Sequence, residues 1–517
     1  MGESWTPGIR IEEKNAWAEE TAVPAFIGYT EKAINGTEDL TGKPWKITSM
    51  AEYVRYFGGM HVPKYRISVV QNDNDCYTQR PFPNLAGRNF SKPAPATVGK
   101  SFVLHTADAN SWFMIKVDND FTLYLHMVLF FANGGGPCYI VSVGNFEKAF
   151  ERPALESAIR SLEKEPEPTI LVIPEATNLK AEECYALQQA MAMHCGGKMK
   201  NRIAIIDVFI NRYPDNSGPK ADDVNHFRNG FSTDFPSFVA AYYPYLATSI
   251  LSDGDITGDM IDVEEDLVPF LKLLGLGDKA IQVLASMHQE ECGTSQTKIS
   301  RDMHQVMLQN SAIYKHLIEL IRKDLNLLPP SAAVAGVYTA VDNSHGVWKA
   351  PANVVLKSVV NPSIFMDDCG QQDLNMPADG KSINAIREFR GEGVKIWGAR
   401  TYDGNSQDWR YINIRRTMIF LEESVKKIAC TYVSRPNDAN TWSNLKGRIE
   451  EFLCSVWKCG GLAGHISEDA FEVHVGPGDT MTDDDMREGI LRITVLAAIG
   501  RPADFLEFTV QQQMQKK

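Results

Sequence analysis

Apolar residues recur along this chain with two periods. Strict alternation, which lines one face of a strand, marks TPGIRIEE (6–13), where Ile9 and Ile11 alternate with Arg10 and Glu12. It marks EGILRITVLAAI (488–499) too, where Leu491, Ile493, Val495 and Ala497 alternate with Arg492 and Thr494. Continuous β-branched runs, the pattern of strands buried on both faces, occupy TILVIPE (169–175) and RIAIIDVF (202–209), and SFVAAYYPYL (237–246) reads as a third. Helical stretches lie between them. PALESAIRSLEKE (153–165) opens with proline at a first-turn position, and AEECYALQQAMAMHC (181–195) is expected to stop at Gly196 and Gly197. Strand, helix and strand at this spacing predict an α/β layer, with long helices between about 278 and 325.

PPSAAVAGVY (329–338) punctuates the pattern, and a second texture begins near 361. It holds a strand, VKIWGARTY (394–402), and two long helices, YINIRRTMIFLEESVKKIACTYV (411–433) and NTWSNLKGRIEEFLCSVWKCGGL (440–462). RPAD (501–504) then breaks the alternating strand before a last short one, FLEFTV (505–510). The predicted fold is mixed α/β and multidomain. An N-terminal arm covers 1–24, the start of the body 25–70, an irregular Asn/Asp/Pro-rich insertion 71–99, an outer α/β domain 100–360, an inner C-terminal domain 361–504 and a C-terminal strand arm 505–517. The strand at 6–13 has no hairpin partner nearby, and neither does 505–510, so both are expected to pair elsewhere, with another subunit.

The 517 residues carry 65 Asp and Glu against 52 Lys and Arg, a net charge of −13, and no long basic run. Such a field repels polyphosphates, so nucleic acid is not an expected partner. The most apolar stretch, LYLHMVLFFA (123–132), is about half the length that crosses a bilayer, and the opening residues hold no apolar signal core. Nine thinly spread cysteines suit a reduced, cytoplasmic chain with buried thiols.

Chemical motifs are incomplete. Gly99-Lys100-Ser101 and Gly380-Lys381-Ser382 carry the second half of a phosphate loop, but Ala94 and Asn375 stand where its first glycine belongs. Gly391 and Gly393 begin a dinucleotide fingerprint that fails at Ile396. Cys454 and Cys459, and His465 and His474, lack metal-ligand spacing. No catalytic, cofactor-binding or metal residue is therefore assigned. Thr482 before three aspartates reads as a helix cap. Trp397 and Trp409 read as packing residues. Arg415 and Arg416, adjacent on a helix, cannot share a face; one is expected in a buried salt bridge and the other toward a neighbouring copy.

The chain resembles the contractile tail sheath family of phage tails, R-type pyocins and extracellular contractile injection systems. The resemblance rests on TPGIRIEE, VPAFIGYTEKA (23–33), PWKITSMAEYVRYFGG (44–59), FFANGGGPCYIVSVG (130–144), PPSAAVAGVY with GVWKAPAN (346–353), FRGEGVKIWGARTY (389–402), WRYINIRRTMIFLEES (409–424) and RPADFLEFTVQQ (501–512). It implies a structural protein, not an enzyme, that forms stacked hexameric discs around an inner tube and contracts from a metastable state. Implied partners are further copies, the tube protein, and baseplate and cap proteins, with no nucleic acid and no membrane insertion. Implied arm contacts between subunits are Ile9, Ile11, Phe505, Leu506, Phe508 and Val510. Implied tube-facing residues are Lys446, Arg448, Glu450 and Glu451. The particle assembles in the cytoplasm and is released or envelope-anchored. The alternative is an α/β enzyme or ligand-binding protein with an unrecognised site.

Overall fold

The computed structural model describes residues 19–71, 101–105, 111–118, 121–211, 222–263, 266–291, 297–500 and 505–514. The expected strand over 6–13, with Ile9 and Ile11, lies outside the described residues, as does all but the first residue of the expected insertion over 71–99.

A nine-stranded sheet forms the main body. Its strands are β1 (Pro24–Gly28), β2 (Trp45–Ile47), β3 (Cys138–Ser142), β4 (Ile170–Val172), β5 (Ile203–Asp207), β6 (Val239–Tyr243), β7 (Val354–Val355), β8 (Asn384–Phe389) and β9 (Gly393–Trp397). The spatial order is β7-β9-β8-β6-β5-β4-β1-β3-β2. The run from β3 to β8 is parallel, and antiparallel strands close both edges. Every residue of β1, β3, β4, β5 and β6 is buried, as a parallel sheet covered on both faces requires. The β-branched runs of the sequence are thus β4 and β5, lying side by side.

Helices α1 (Leu123–Ala132), α2 (Arg152–Ser161), α3 (Ala181–Ala192) and α4 (Ser331–His345) pack on this sheet or on each other. Two expectations differ here. PPSAAVAGVY is no break: it opens α4, a helix buried almost all round whose small residues let it approach α1 closely. A Cβ on Gly336 would come within 2.4 Å of the Phe130 carbonyl oxygen. Gly196 and Gly197 do not end the helix either. The chain continues as a π-helical turn, Met193–Met199, and both glycines lie against the Phe235 side chain. Close approach, not termination, is what these glycines supply.

Two buried carboxylates fix the helix starts. Neither α1 nor α4 has a side-chain cap from its own flank, which leaves donors at each N-terminus unsatisfied. Glu175, just past β4, accepts from the backbone N–H groups of Thr122 (2.6 Å), Leu123 (2.9 Å) and Tyr29 (2.9 Å). Asp207, ending β5, accepts from the Ser331 N–H at 2.8 Å. Burial raises both carboxyls to about 7, against the opposing pull of these donors.

A separate five-stranded sheet includes Lys64–Gln71, Ser101–His105 and Ser111–Asp118. Both described flanks of the 72–100 segment therefore lie in this sheet.

A second, smaller core follows. Helices α6 (Ile412–Cys430) and α7 (Ala439–Lys458) cover a three-stranded antiparallel sheet of β10 (Phe471–His474), β11 (Ile490–Ala498) and β12 (Phe505–Gln513). A short helix, α5 (Asp368–Asn375), precedes β8 on the main sheet. The structure does not divide at the expected boundary of 361: β8 and β9 extend the large sheet, and the second core draws on residues from 409 onward, with Val347 and Trp348 added. The β8–β9 hairpin looks like a new start in sequence because its pairing partner, β6, is about 140 residues earlier.

Gly336→Ala should destabilise the fold by about 1–3 kcal/mol through overpacking. The midpoint of urea unfolding would show it; an unchanged midpoint would mean that α1 and α4 can separate freely.

Candidate assembly surfaces

Helix α6 belongs to both cores. Ile412 and Ile419 pack into the large core, while Met418, Leu421, Val425 and Ile428 pack into the small one. At 3.6 residues per turn these sets lie on different faces, so the helix is buried on both.

Arg416, on α6, pairs with Asp342, on α4, through two parallel bonds: Nη1 to Oδ1 at 3.0 Å and Nη2 to Oδ2 at 2.6 Å. Both side chains are almost fully buried, at 3% and 1% exposed. The guanidinium also lies 4.7 Å over the Tyr338 ring, and the Tyr338 hydroxyl meets that of Tyr242, on β6, at 2.7 Å. Arg416 Nη2 donates to the Thr21 carbonyl at 3.0 Å. Thr169 Oγ1 donates to the same carbonyl and accepts from the Val23 N–H. Glu19 is held to α6 by Ser424 and by Lys427 at 3.1 Å. One ion pair thus ties the two cores and the N-terminal segment together.

The expected salt bridge is Arg416. Arg415 does not face outward: it is only 8% exposed, with its guanidinium 3.8 Å from the Phe238 ring centre and 4.5 Å from that of Trp409. Both faces of the helix are covered, so the two adjacent arginines, about 100° apart around it, are both buried. Trp409 packs there, and Trp397 packs against Phe389.

The strand at 505–510 is longer than expected and has a partner in its own chain, which corrects the expectation that it has none. β12 pairs with β11 through nine positions, from Ala498↔Phe505 to Ile490↔Gln513. Phe508 and Val510 enter the small core, Leu506 packs against it, and Phe505 is exposed. The hairpin escapes sequence reading because RPAD separates its strands. β12 is still an edge strand, so one row of its backbone groups meets no strand among the described residues.

Lys446, Arg448, Glu450 and Glu451 lie on the outer face of α7, in weak pairs: Lys446–Glu450 at 3.8 Å and Arg448–Glu451 at 3.2 Å. Thr482 and Asp485 form a capping box on a short helical turn. Gly380-Lys381-Ser382 is a turn whose lysine donates to the Arg228 carbonyl and whose serine donates to that of Asn375. Cys138, Cys184 and Cys195 are buried, but Cys369, Cys430 and Cys459 are exposed, unlike the expectation of buried thiols. Among the described residues no group of three His, Cys, Asp or Glu could hold a metal ion, and no helix is long and apolar enough to cross a membrane.

No family model matches the chain. A stretch of 100 residues, 19% of the chain, is 27% identical to a putative prophage major tail sheath protein of Pseudomonas aeruginosa (strain UCBPP-PA14) and spans 25% of that relative's length. Solved structures match over nearly the whole length. A chain of the anti-feeding prophage baseplate is 26% identical with a TM-score of 0.54, covering 99% of this chain and 100% of that one. A chain of the anti-feeding prophage helical sheath in its contracted state is 25% identical with a TM-score of 0.53, covering 98% of each. The chain is thus similar, along nearly its whole length, to chains of contractile sheath and baseplate assemblies. A sheath complex of an extracellular contractile injection system, in its contracted state, shares the fold at 23% identity and a TM-score of 0.52.

Sequence reasoning singled out Arg416 but missed Asp342, Glu175 and Asp207. Their one signal is an acid set inside or at the end of an apolar run. Arg416→Met strands a buried carboxylate and should cost about 3–5 kcal/mol, while the double variant Asp342→Leu with Arg416→Met should recover most of that loss. Denaturant unfolding of the wild type, each single variant (Asp342→Leu and Arg416→Met) and the double variant measures it. A double variant as unstable as the two single losses summed would mean that the pair does not couple the cores.

Proposed function

We propose that this chain is the structural subunit of a contractile sheath, without catalytic activity, built around an inner tube in a phage-tail-like particle. The observation that carries this is the match of fold along 98% or more of the chain to sheath and baseplate assemblies, at 25–26% identity. Further copies are its principal partner, in stacked six-fold discs; tube, baseplate and cap proteins complete the particle, with no nucleic acid and no direct membrane insertion. The particle forms in the cytoplasm and acts outside the cell or at its envelope.

The mechanism follows from what is rigid and what is open. Two cores clamped by a shared helix move as one body. Contraction then needs only rotation of such bodies between two packings, driven by a metastable extended state and no nucleotide. Joints between bodies use strand addition. The N-terminal strand, with Ile9 and Ile11, supplies one. The strand bearing Phe505, Leu506, Phe508 and Val510 supplies the other by exchange: the register it makes with β11 of its own chain is the register it makes with β11 of a neighbour, as in domain swapping. The paired charges of α7, Lys446, Arg448, Glu450 and Glu451, would face the tube, because exposed pairs near 0–1 kcal/mol suit a grip that releases.

Electron microscopy of the purified full chain should show tubes of uniform width. Small globular particles alone, over a wide range of salt and protein concentration, would overturn the reading. Deleting residues 1–18 should abolish the tubes yet leave circular dichroism and the unfolding midpoint unchanged. Net hydrogen bonds of about 1 kcal/mol each and two isoleucines of about 1.5–3 kcal/mol each would be lost at every joint. Normal tubes from the deletion would rule out the N-terminal strand as a joint.

A further inference from the structure

The last strand is fastened most firmly at its C-terminal end. Leu506, Phe508, Val510, Gln512 and Met514 alternate along β12 and its continuation, so they share one face. The apolar ones sink deeper toward that end: Leu506 is partly buried, Phe508 is 7% exposed, Val510 3% and Met514 2%.

Met514 lies one residue past the ladder and is held by more than packing. Its N–H donates to the Gly489 carbonyl at 2.8 Å. Gln513 Nε2 donates to the Glu488 carbonyl at 2.9 Å and to the Gly489 carbonyl at 3.3 Å. Cys430, the last residue of α6, places its thiol 3.6 Å from Gln512 Oε1.

These carbonyls belong to a fixed seat. Gly489 has φ 73° and ends the short helical turn Asp483–Glu488, a left-handed backbone shape that favours glycine. Thr482 and Asp485 cap the other end of the turn, and Asp485 pairs with Arg492, on β11, at 2.9 Å. The seat is therefore part of the same body as β11. All the contacts named here run from the strand end to that body and none runs within the strand. An identical strand end from a second copy makes the same set.

We propose that this seat receives the Gln512–Met514 end of a neighbouring copy in the assembled sheath, and that in the free subunit the chain's own end fills it and restrains assembly. The inference deepens the sheath reading and rests on it. Because the contacts are the same in both states, they cancel in the equilibrium between closed subunits and exchanged polymer, as in domain swapping. They do not cancel in the rate, since the end must leave its seat before a neighbour's can enter. The seat thus slows spontaneous polymerisation while strengthening the finished joint.

The test uses the full-length chain carrying Gln512→Cys, so that a short bis-maleimide can bridge this residue to the exposed Cys430. Applied to free subunits, the bridge should form within one chain, run as a monomer on a denaturing gel and stop tube formation. Applied to finished tubes, it should join neighbours into a ladder of oligomers that the unsubstituted chain does not give. A second arm is kinetic. Met514→Ala should shorten the lag before tubes appear about tenfold or more, and Gln513→Ala, which removes only side-chain bonds, should shorten it less. Both should leave the concentration of unpolymerised chain at equilibrium nearly unchanged, whereas a merely structural contact would raise it and speed nothing.

Tubes from bridged subunits, tubes that give only single-chain bridges, or an unchanged lag in both variants would overturn the proposal and leave the sheath reading intact. If the wild type forms no tubes, the sheath reading fails. The seat is then judged on concentrated Gln512→Cys protein. Bridges between two chains, more frequent with Met514→Ala added, support it, and single-chain bridges throughout overturn it.

Discussion

The bidentate pair between Asp342 and Arg416 is the contact on which the rest of this structure depends. It lies where the parallel sheet, the α1–α4 layer, the second core and the N-terminal segment converge. A buried ion pair often gains little over an apolar substitute, because desolvation offsets the attraction. Here the guanidinium gains further contacts: a third acceptor at the Thr21 carbonyl and an aromatic face at Tyr338. The gain is specificity of arrangement. Only one docking of α6 against α4 satisfies every group.

That arrangement separates what stays fixed from what remains available. Burial is spent on the two cores and on α6 between them. The features left open are an edge strand, β12, and a paired charge surface on α7. The buried carboxylates Glu175 and Asp207 follow the same division. In an enzyme, acids raised to about 7 would be candidates for proton transfer. Here each one points at a helix N-terminus and bonds to backbone donors, so their chemistry is used in holding the sheet's helices in place.

Local patterns were legible in the sequence and distant pairings were not. The β-branched runs announced β4 and β5, and the alternation in 488–499 announced β11. Thr482 announced its cap, and the adjacency of Arg415 and Arg416 announced one buried salt bridge. Burial of Arg415 was not legible, because covering both faces of α6 takes a core from each side. The domain division near 361 was misplaced for a related reason: β8 joins β6 across about 140 residues, and no local pattern records such a pairing. Small residues misled in both directions. In 329–338 they looked like punctuation and are a helix made for close contact. Gly196 and Gly197 looked like a stop and are a place for the Phe235 ring. Trp397 read as a packing residue in the sequence and packs against Phe389.

The central claim is that one rigid subunit, clamped through Arg416, builds a helical sheath. Cryo-electron microscopy with helical reconstruction of the polymer formed by this chain tests it most directly. The account predicts a hollow helical tube in which each subunit keeps both cores in the relation seen here, with Asp342 and Arg416 still paired, β12 exchanged onto the β11 of a neighbour in the same register, and other new contacts confined to the surface. The absence of any helical polymer, or subunits whose cores have separated with that pair broken, would contradict it.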